Sequence, residues 1–340
     1  MKPFSTSQAV WPALMRTNRL LFRPFAWGAF LKLSAAAVIT EGMLFSYRFT
    51  PSNAWLEDVT GIDLSRLSAT PGFALYAALA AMAAILIALL IYALITQLRF
   101  ALFHCVLYET RALRPGWSLY LAQAQRFFVA SLLVGLGLLA LLALALGGLV
   151  LTVWVVITAR TPEGQLDPGV FLLLFFPCVA IFALAGVAAL CAQVVLCDFI
   201  LPHMALENAT FREAWRAVRR QIRADRETFF SYFILRVGLP FLAAVVLIIA
   251  GSLAGLVVFG VLGASADGIN AMLDDATGVL AALRVALAIV MALVSLGAGA
   301  VLASALGGPV AVFARSFALY FYGSRYKPLG DLLDISSPQS

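Results

Sequence analysis

The chain has 340 residues, 63% hydrophobic and 12% charged, with a formal net charge of +6. Soluble domains carry about 45–50% apolar and about 25% charged residues, so this composition excludes a water-soluble globular protein. The basic charge sits beside long apolar runs, which points to anionic lipid and away from nucleic acid.

Six apolar runs bracket about 28–49, 72–98, 127–158, 170–197, 229–263 and 278–314. Each meets or exceeds the ~20 residues that an α-helix needs to cross a bilayer core. The expected fold class is therefore an all-α integral membrane protein, with six transmembrane helices in three hairpins. Residues 1–27 form a cytoplasmic amphipathic segment, 28–325 the transmembrane domain and 326–340 a cytoplasmic tail.

Before the first run, Trp11, Leu14, Met15, Leu21 and Phe22 recur near helical spacing, with Arg16, Arg19 and Arg23 opposite them. Pro12 suits the first turn of such a helix, and Pro24 bends the chain before the membrane. Lys32 and Glu41 interrupt the first run, so it reads as a retained span rather than a cleaved signal peptide. Before the fifth run, Thr210-Phe-Arg-Glu213 fits the capping box, in which hydroxyl and carboxylate each satisfy a free backbone N–H. Phe211, Trp215, Val218 and Ile222 then form an apolar stripe, with Arg212, Arg216, Arg219, Arg220 and Arg223 opposite. A basic amphipathic helix with aromatic anchors belongs in the headgroup region, or packed on other cytoplasmic segments.

Alternate connectors differ sharply in charge. One set, with both ends of the chain, holds 19 of the 23 Lys and Arg residues; the other holds Arg48, Arg66, Arg160 and Arg284 among acidic residues. The positive-inside bias then places both termini in the cytoplasm, with the protein in the cytoplasmic (inner) membrane. Small residues recur every four positions at Ser295, Gly299, Ala303 and Gly307, at Gly251 and Gly255, and at Ala80, Ala84 and Ala88. Such spacings let membrane helices approach closely. The four cysteines all fall within spans or at their ends, where no disulfide framework is expected.

Intramembrane charge is costly and calls for a reason. Glu41 lies well inside the first span, with Arg284 and Arg48 as candidate partners; it either fixes helix packing or lines a polar pathway. The two histidines of the chain sit in similar settings, Phe100-Ala-Leu-Phe-His104 through Glu109 and Phe199-Ile-Leu-Pro-His203 through Glu207. If the hairpins are related, His104, Glu109, His203 and Glu207 share a cytoplasmic-side pocket. No phosphate-binding loop, dinucleotide fingerprint, nucleophile elbow, zinc motif or CxxC pair occurs, so no enzyme activity, cofactor or metal is expected. Two functional classes stay open. One is a non-enzymatic module binding membrane lipids, including anionic headgroups, or a partner membrane protein or second copy. The other is a transporter or permease-like protein with its polar site near Glu41.

Three stretches carry a resemblance: Arg16-Thr-Asn-Arg-Leu-Leu-Phe-Arg-Pro-Phe25, Asp198-Phe-Ile-Leu-Pro-His203 leading into Ala214-Trp-Arg216, and Pro309 through Tyr320. They resemble uncharacterised bacterial six-span membrane proteins, including the membrane domain attached to some glycerophosphodiester phosphodiesterases. The resemblance implies a bacterial cytoplasmic membrane and a membrane domain without the catalytic barrel, so no catalytic residue carries over.

Overall fold

A computed structural model of the protein describes residues 4–41, 72–158, 168–272 and 279–333. Among these residues the regular structure is helical throughout, in the order α1 Val10–Phe22, α2 Trp27–Thr40, α3 Phe73–Tyr108, α4 Leu113–Leu119, α5 Leu121–Thr158 and α6 Pro168–Val194. A π-helical turn, Val195–Ile200, leads into α7 Leu201–Leu206, followed by α8 Phe211–Ala224, α9 Arg226–Met272, α10 Val279–Gly323 and α11 Lys327–Leu332.

Five helices are long and apolar enough to cross a membrane, over Phe73–Tyr108, Leu121–Leu151, Phe175–Leu206, Arg226–Ser265 and Ala286–Gly323. The protein is thus all-α with the architecture of a multi-pass membrane protein. The first expected span is represented by α2, a 14-residue apolar helix; residues 42–49 of that span lie outside the described residues. Of the expected outer connectors 50–71, 159–169 and 264–277, the first lies outside the described residues, as do residues 159–167 of the second and 273–277 of the third; residues 264–272 of the third continue the helix α9 instead of forming a loop.

The chain divides into two compact units, residues 1–120 with 234–340, and residues 121–233. In the first, α10 packs against α1 and α2, and α3 packs against α2 and α4. The closest approach is at Gly308, where a Cβ would collide with the side chain and Cα of Ser34 on α2. Of the expected small-residue face Ser295, Gly299, Ala303 and Gly307, the last two are buried and the first two half-buried; Gly308, which makes the close approach, lies beside that face. By contrast Ala80, Ala84 and Ala88 on α3 are exposed within the chain. A second tight contact sets α4 against α3. A Cβ on Gly116 would lie 2.7 Å from the His104 Cβ and 3.0 Å from the Ala101 Cα.

In the second unit, α5 packs on α6, and α8 lies against the π turn, α7 and α5. Pro202 lacks the N–H that would continue an α-helical ladder, which accounts for an irregular turn immediately before it. Phe199 from this turn meets Phe229 edge-on at 5.2 Å and lies 5.4 Å from the Tyr232 ring.

Candidate functional site

The first helix is not oriented as its hydrophobic pattern predicts. Its packed face is Ala13, Arg16, Thr17, Leu20 and Leu21, while Trp11, Leu14, Met15 and Phe22 remain 37–63% exposed. Arg16, expected on the polar side, is 6% exposed. The reason lies at the end of α3. Arg16 Nε donates to the Val106 carbonyl at 2.6 Å, Nη2 donates to the Leu107 carbonyl, and Nη1 donates to the Tyr320 hydroxyl at 3.2 Å. The last carbonyls of a helix have no partner within it, and a guanidinium satisfies them with charge opposite to the helix dipole.

The arrangement is reciprocal. Arg111, just beyond α3, donates from Nε to the Leu20 carbonyl at 2.9 Å, from Nη1 to Pro24 at 2.5 Å and from Nη2 to Arg19 at 3.2 Å. Each helix therefore ends on an arginine supplied by the other. Between them Glu109, at φ 51°, pairs with Arg16 at 3.7 Å and Arg19 at 3.6 Å. The adjoining polar hollow, lined by Arg19, Arg23, Pro24, Glu109 and Arg111, is built largely from this clasp.

On its other flank α1 borders a cavity of about 520 Å³. Leu14, Met15 and Phe22 form its α1 rim, Leu235, Leu239 and Ala243 come from α9, and Pro309, Val310, Phe313, Ala314 and Phe317 from α10. Its polar lining residues are Thr17, Asn18 and Arg236. The Thr17 hydroxyl lies 2.8 Å from the Ala13 carbonyl of its own helix and 3.4 Å from the Ser316 hydroxyl on α10, so it is already engaged on both sides. Composition supports a ligand that is mostly hydrocarbon, since pockets of ~300–1,000 Å³ with few convergent polar groups are the usual small-molecule sites.

Arg236 joins this cavity to Glu41. The two form an ion pair at 2.5 Å, with side chains 10% and 8% exposed. Arg236 falls inside the 229–263 run although its charge counts with the cytoplasmic set, and the candidate partners of Glu41 in the sequence are Arg284 and Arg48. Arg236 lies within α9, and its guanidinium reaches the end of α2, where Glu41 caps the helix. Arg284 lies on α10 with its side chain outside the described residues, and Arg48 lies outside them altogether. Arg99 donates to the neighbouring Thr40 carbonyl at 3.3 Å, and the charges of Arg236, Arg315 and Arg99 all act on Glu41. Arg315 is 2% exposed. A buried carboxylate thus sits in a field of three guanidinium groups.

The two histidines fall in different units, and each has its own setting. His104 lies 4.7 Å from the Tyr108 ring and 5.9 Å from that of Tyr120. Burial pushes the Tyr120 phenol up to about 12. His203 is 4% exposed, and its Nδ1 lies 3.2 Å from Glu207 Oε2. Among the described residues no group of three or more His, Cys, Asp or Glu is placed to hold a metal.

Near His203 in sequence, the structure adds a residue that sequence reading had not singled out as a site. Asp198, in the π turn, is 2% exposed and accepts a 2.8 Å hydrogen bond from the Tyr232 hydroxyl. As the lone carboxylate between Pro168 and Leu206, it carried a signal that intramembrane charge alone would have raised.

On α8 the capping box is formed. Thr210 N donates to Glu213 Oε2 at 2.8 Å, and Glu213 N donates to Thr210 Oγ1 at 3.4 Å. The packed stripe is Ala214 and Val218, whereas Trp215 is 43% exposed, so the expected aromatic anchor is not consumed by packing. Arg212, Arg216, Arg219, Arg220 and Arg223 are all exposed.

Among curated proteins and among solved structures, nothing matches this chain. A family model described as a family of unknown function, DUF7544, matches residues 4–332. That span takes in every helix described above, from the arginine clasp to α11, and the chain belongs to the DUF7544 family.

Proposed function

We propose that this protein is a non-enzymatic lipid-binding protein of the cytoplasmic membrane, with both ends of the chain in the cytoplasm. The observation that carries the reading is the apolar cavity between α1, α9 and α10, whose α1 rim is left exposed. A soluble ligand gains little from such a wall, whereas an acyl chain is made of the same groups. The exposed arginines and Trp215 of α8 support an accompanying contact with anionic headgroups. Native mass spectrometry of the detergent-purified chain tests the reading. Retained lipid should be lost when Ala243 is replaced by Trp to fill the cavity; equal retention by the filled variant would overturn it.

One observation favours the second reading, transport through a polar site. Glu41 and Arg236 form a buried pair beside the cavity, and intramembrane ion pairs mark substrate and proton pathways. A substrate-dependent flux in proteoliposomes, abolished by Glu41→Gln with Arg236→Gln, would replace the lipid-binding reading by this one.

A further inference from the structure

Two long helices meet α1 at Arg16, and their charge pattern sets the level of the clasp against a bilayer. Arg16 reaches α3 at Val106 and Leu107 and α10 at Tyr320, near the C-terminal end of each. Both helices come up to it from stretches without a charged residue, 73–98 ending at Arg99 and 285–314 ending at Arg315. Each stretch exceeds the ~20 residues a span needs, and intramembrane charge is costly, so the two arginines mark one edge of the hydrocarbon core. At 1.5 Å per residue the clasp stands about 8–12 Å beyond that edge. A helix is ~10–12 Å across with its side chains, and the headgroup layer adds ~5–8 Å to each side of the core. The near side of α1 therefore reaches the headgroups.

Which side is near follows from the three faces of the helix. Ala13, Arg16, Thr17, Leu20 and Leu21 are docked on the chain. Arg19 and Arg23 form a second, exposed face, and Trp11, Leu14, Met15 and Phe22 an exposed apolar arc. Leu14, Met15 and Phe22 share the cavity wall with Pro309, Val310 and Phe313, which belong to the charge-free stretch of α10. The apolar arc thus looks toward hydrocarbon. A second copy seated on it would crowd the Arg19 and Arg23 of both chains along one seam, whereas anionic headgroups complement them.

We infer that α1 is an in-plane interfacial helix whose apolar arc inserts into the leaflet at the clasp end of the spans, with Arg19 and Arg23 among the headgroups. The inference needs the membrane architecture alone and holds whatever occupies the cavity.

Fluorescence of the full chain in phosphatidylcholine–phosphatidylglycerol vesicles tests it, with Trp11 left as the sole tryptophan by replacing Trp27, Trp55, Trp117, Trp154 and Trp215 with Phe. Trp11 is chosen because it does not line the cavity. Lipids brominated high on the acyl chain should quench it about twofold more than lipids brominated near the chain end, and aqueous iodide should quench it least. Iodide quenching without bromolipid quenching would put the arc in water. Strongest quenching by chain-end bromine would make α1 part of a span, and no quenching by any of the three would mean that protein covers the arc. Each of these overturns the inference. Nitroxides at Trp11→Cys and Arg23→Cys, in a chain lacking native cysteines, give a second reading that keeps the other tryptophans. Oxygen should relax the first label more than a water-soluble nickel chelate does, and the chelate should win at the second; the same order at both would overturn the seating.

Discussion

Arg16 and Arg236 are the side chains on which the first unit depends, and they act in different ways. Arg16 faces carbonyls, so Arg16→Ala removes the charged donor of the Val106 and Leu107 oxygens and one of the two arginines paired with Glu109. A loss of about 2–4 kcal/mol is expected, read as a lowered unfolding midpoint in mild detergent. Arg16→Lys should recover only part of it, because one ammonium cannot cover the Val106 and Leu107 carbonyls in the fork geometry of a guanidinium. Arg236 faces a carboxylate. Removing either Glu41 or Arg236 alone deprives a buried charge of its ion-pair partner and should cost up to about 3–5 kcal/mol, while Glu41→Gln with Arg236→Gln should cost less than the sum of the two single changes. A double-mutant cycle on thermal stability measures this, and additive losses would contradict the pair seen here.

At the scale of elements, α8 offers a clean test because its start is local. Thr210 N–H, and to a lesser degree the Thr210 hydroxyl, hold the Glu213 carboxyl below its ordinary value of 4.5. A carboxyl with a depressed folded value stabilises the helix fully above pH 4.5, and that contribution fades as pH falls through the lowered value. Helicity of a peptide spanning 210–224, followed by circular dichroism, should drop on acidification through this range; Thr210→Ala, which keeps the backbone N–H, should reduce the drop only in part, and Glu213→Gln should abolish it. The same peptide should bind anionic vesicles more strongly than neutral ones, with the difference lost when the five arginines become Gln; equal binding to both would speak against headgroup contact. This helix was legible in the sequence because capping box, stripe and charge all lie within fourteen residues. The helix α1 was only half legible. Its periodicity announced a helix, but the packed face is set by Arg16 reaching carbonyls 90 and 91 positions away. Sequence patterns register side chains; they carry no record of which backbone carbonyls a distant helix leaves open. The partner of Glu41 was missed for the same cause, since Arg236 lies 195 residues off.

For the whole molecule, five of the six apolar runs translate directly into long helices, because crossing a bilayer is a requirement on length and hydropathy that composition alone can meet; the first run is represented among the described residues by the shorter α2. The cavity was not legible, being formed by three helices drawn from widely separated stretches. Orientation remains a proposal that labelling decides. In a background lacking native cysteines, single cysteines at Ser52 and Gly164 should react with an impermeant reagent added to intact cells, while one at Ser336 should react only after lysis. The opposite pattern would invert the protein in the membrane and put the arginines of α8 on the outer face.

The reciprocal clasp also has a consequence in time. Arg16 needs Leu107 and Tyr320, and the latter is synthesised 304 residues later. At ~5–20 residues per second, the ribosome takes roughly 15–60 s to cover that distance. Through that interval α1 exists without its seat, an amphipathic helix whose natural resting place is the membrane surface where it emerged. It is among the earliest helices made and among the last to dock, so the lipid-facing side of the protein closes only when α10 arrives. On the proposed lipid-binding reading, a lipid lying against α1 at that moment would be enclosed, and the cavity's first occupant would be a product of assembly as much as of later exchange.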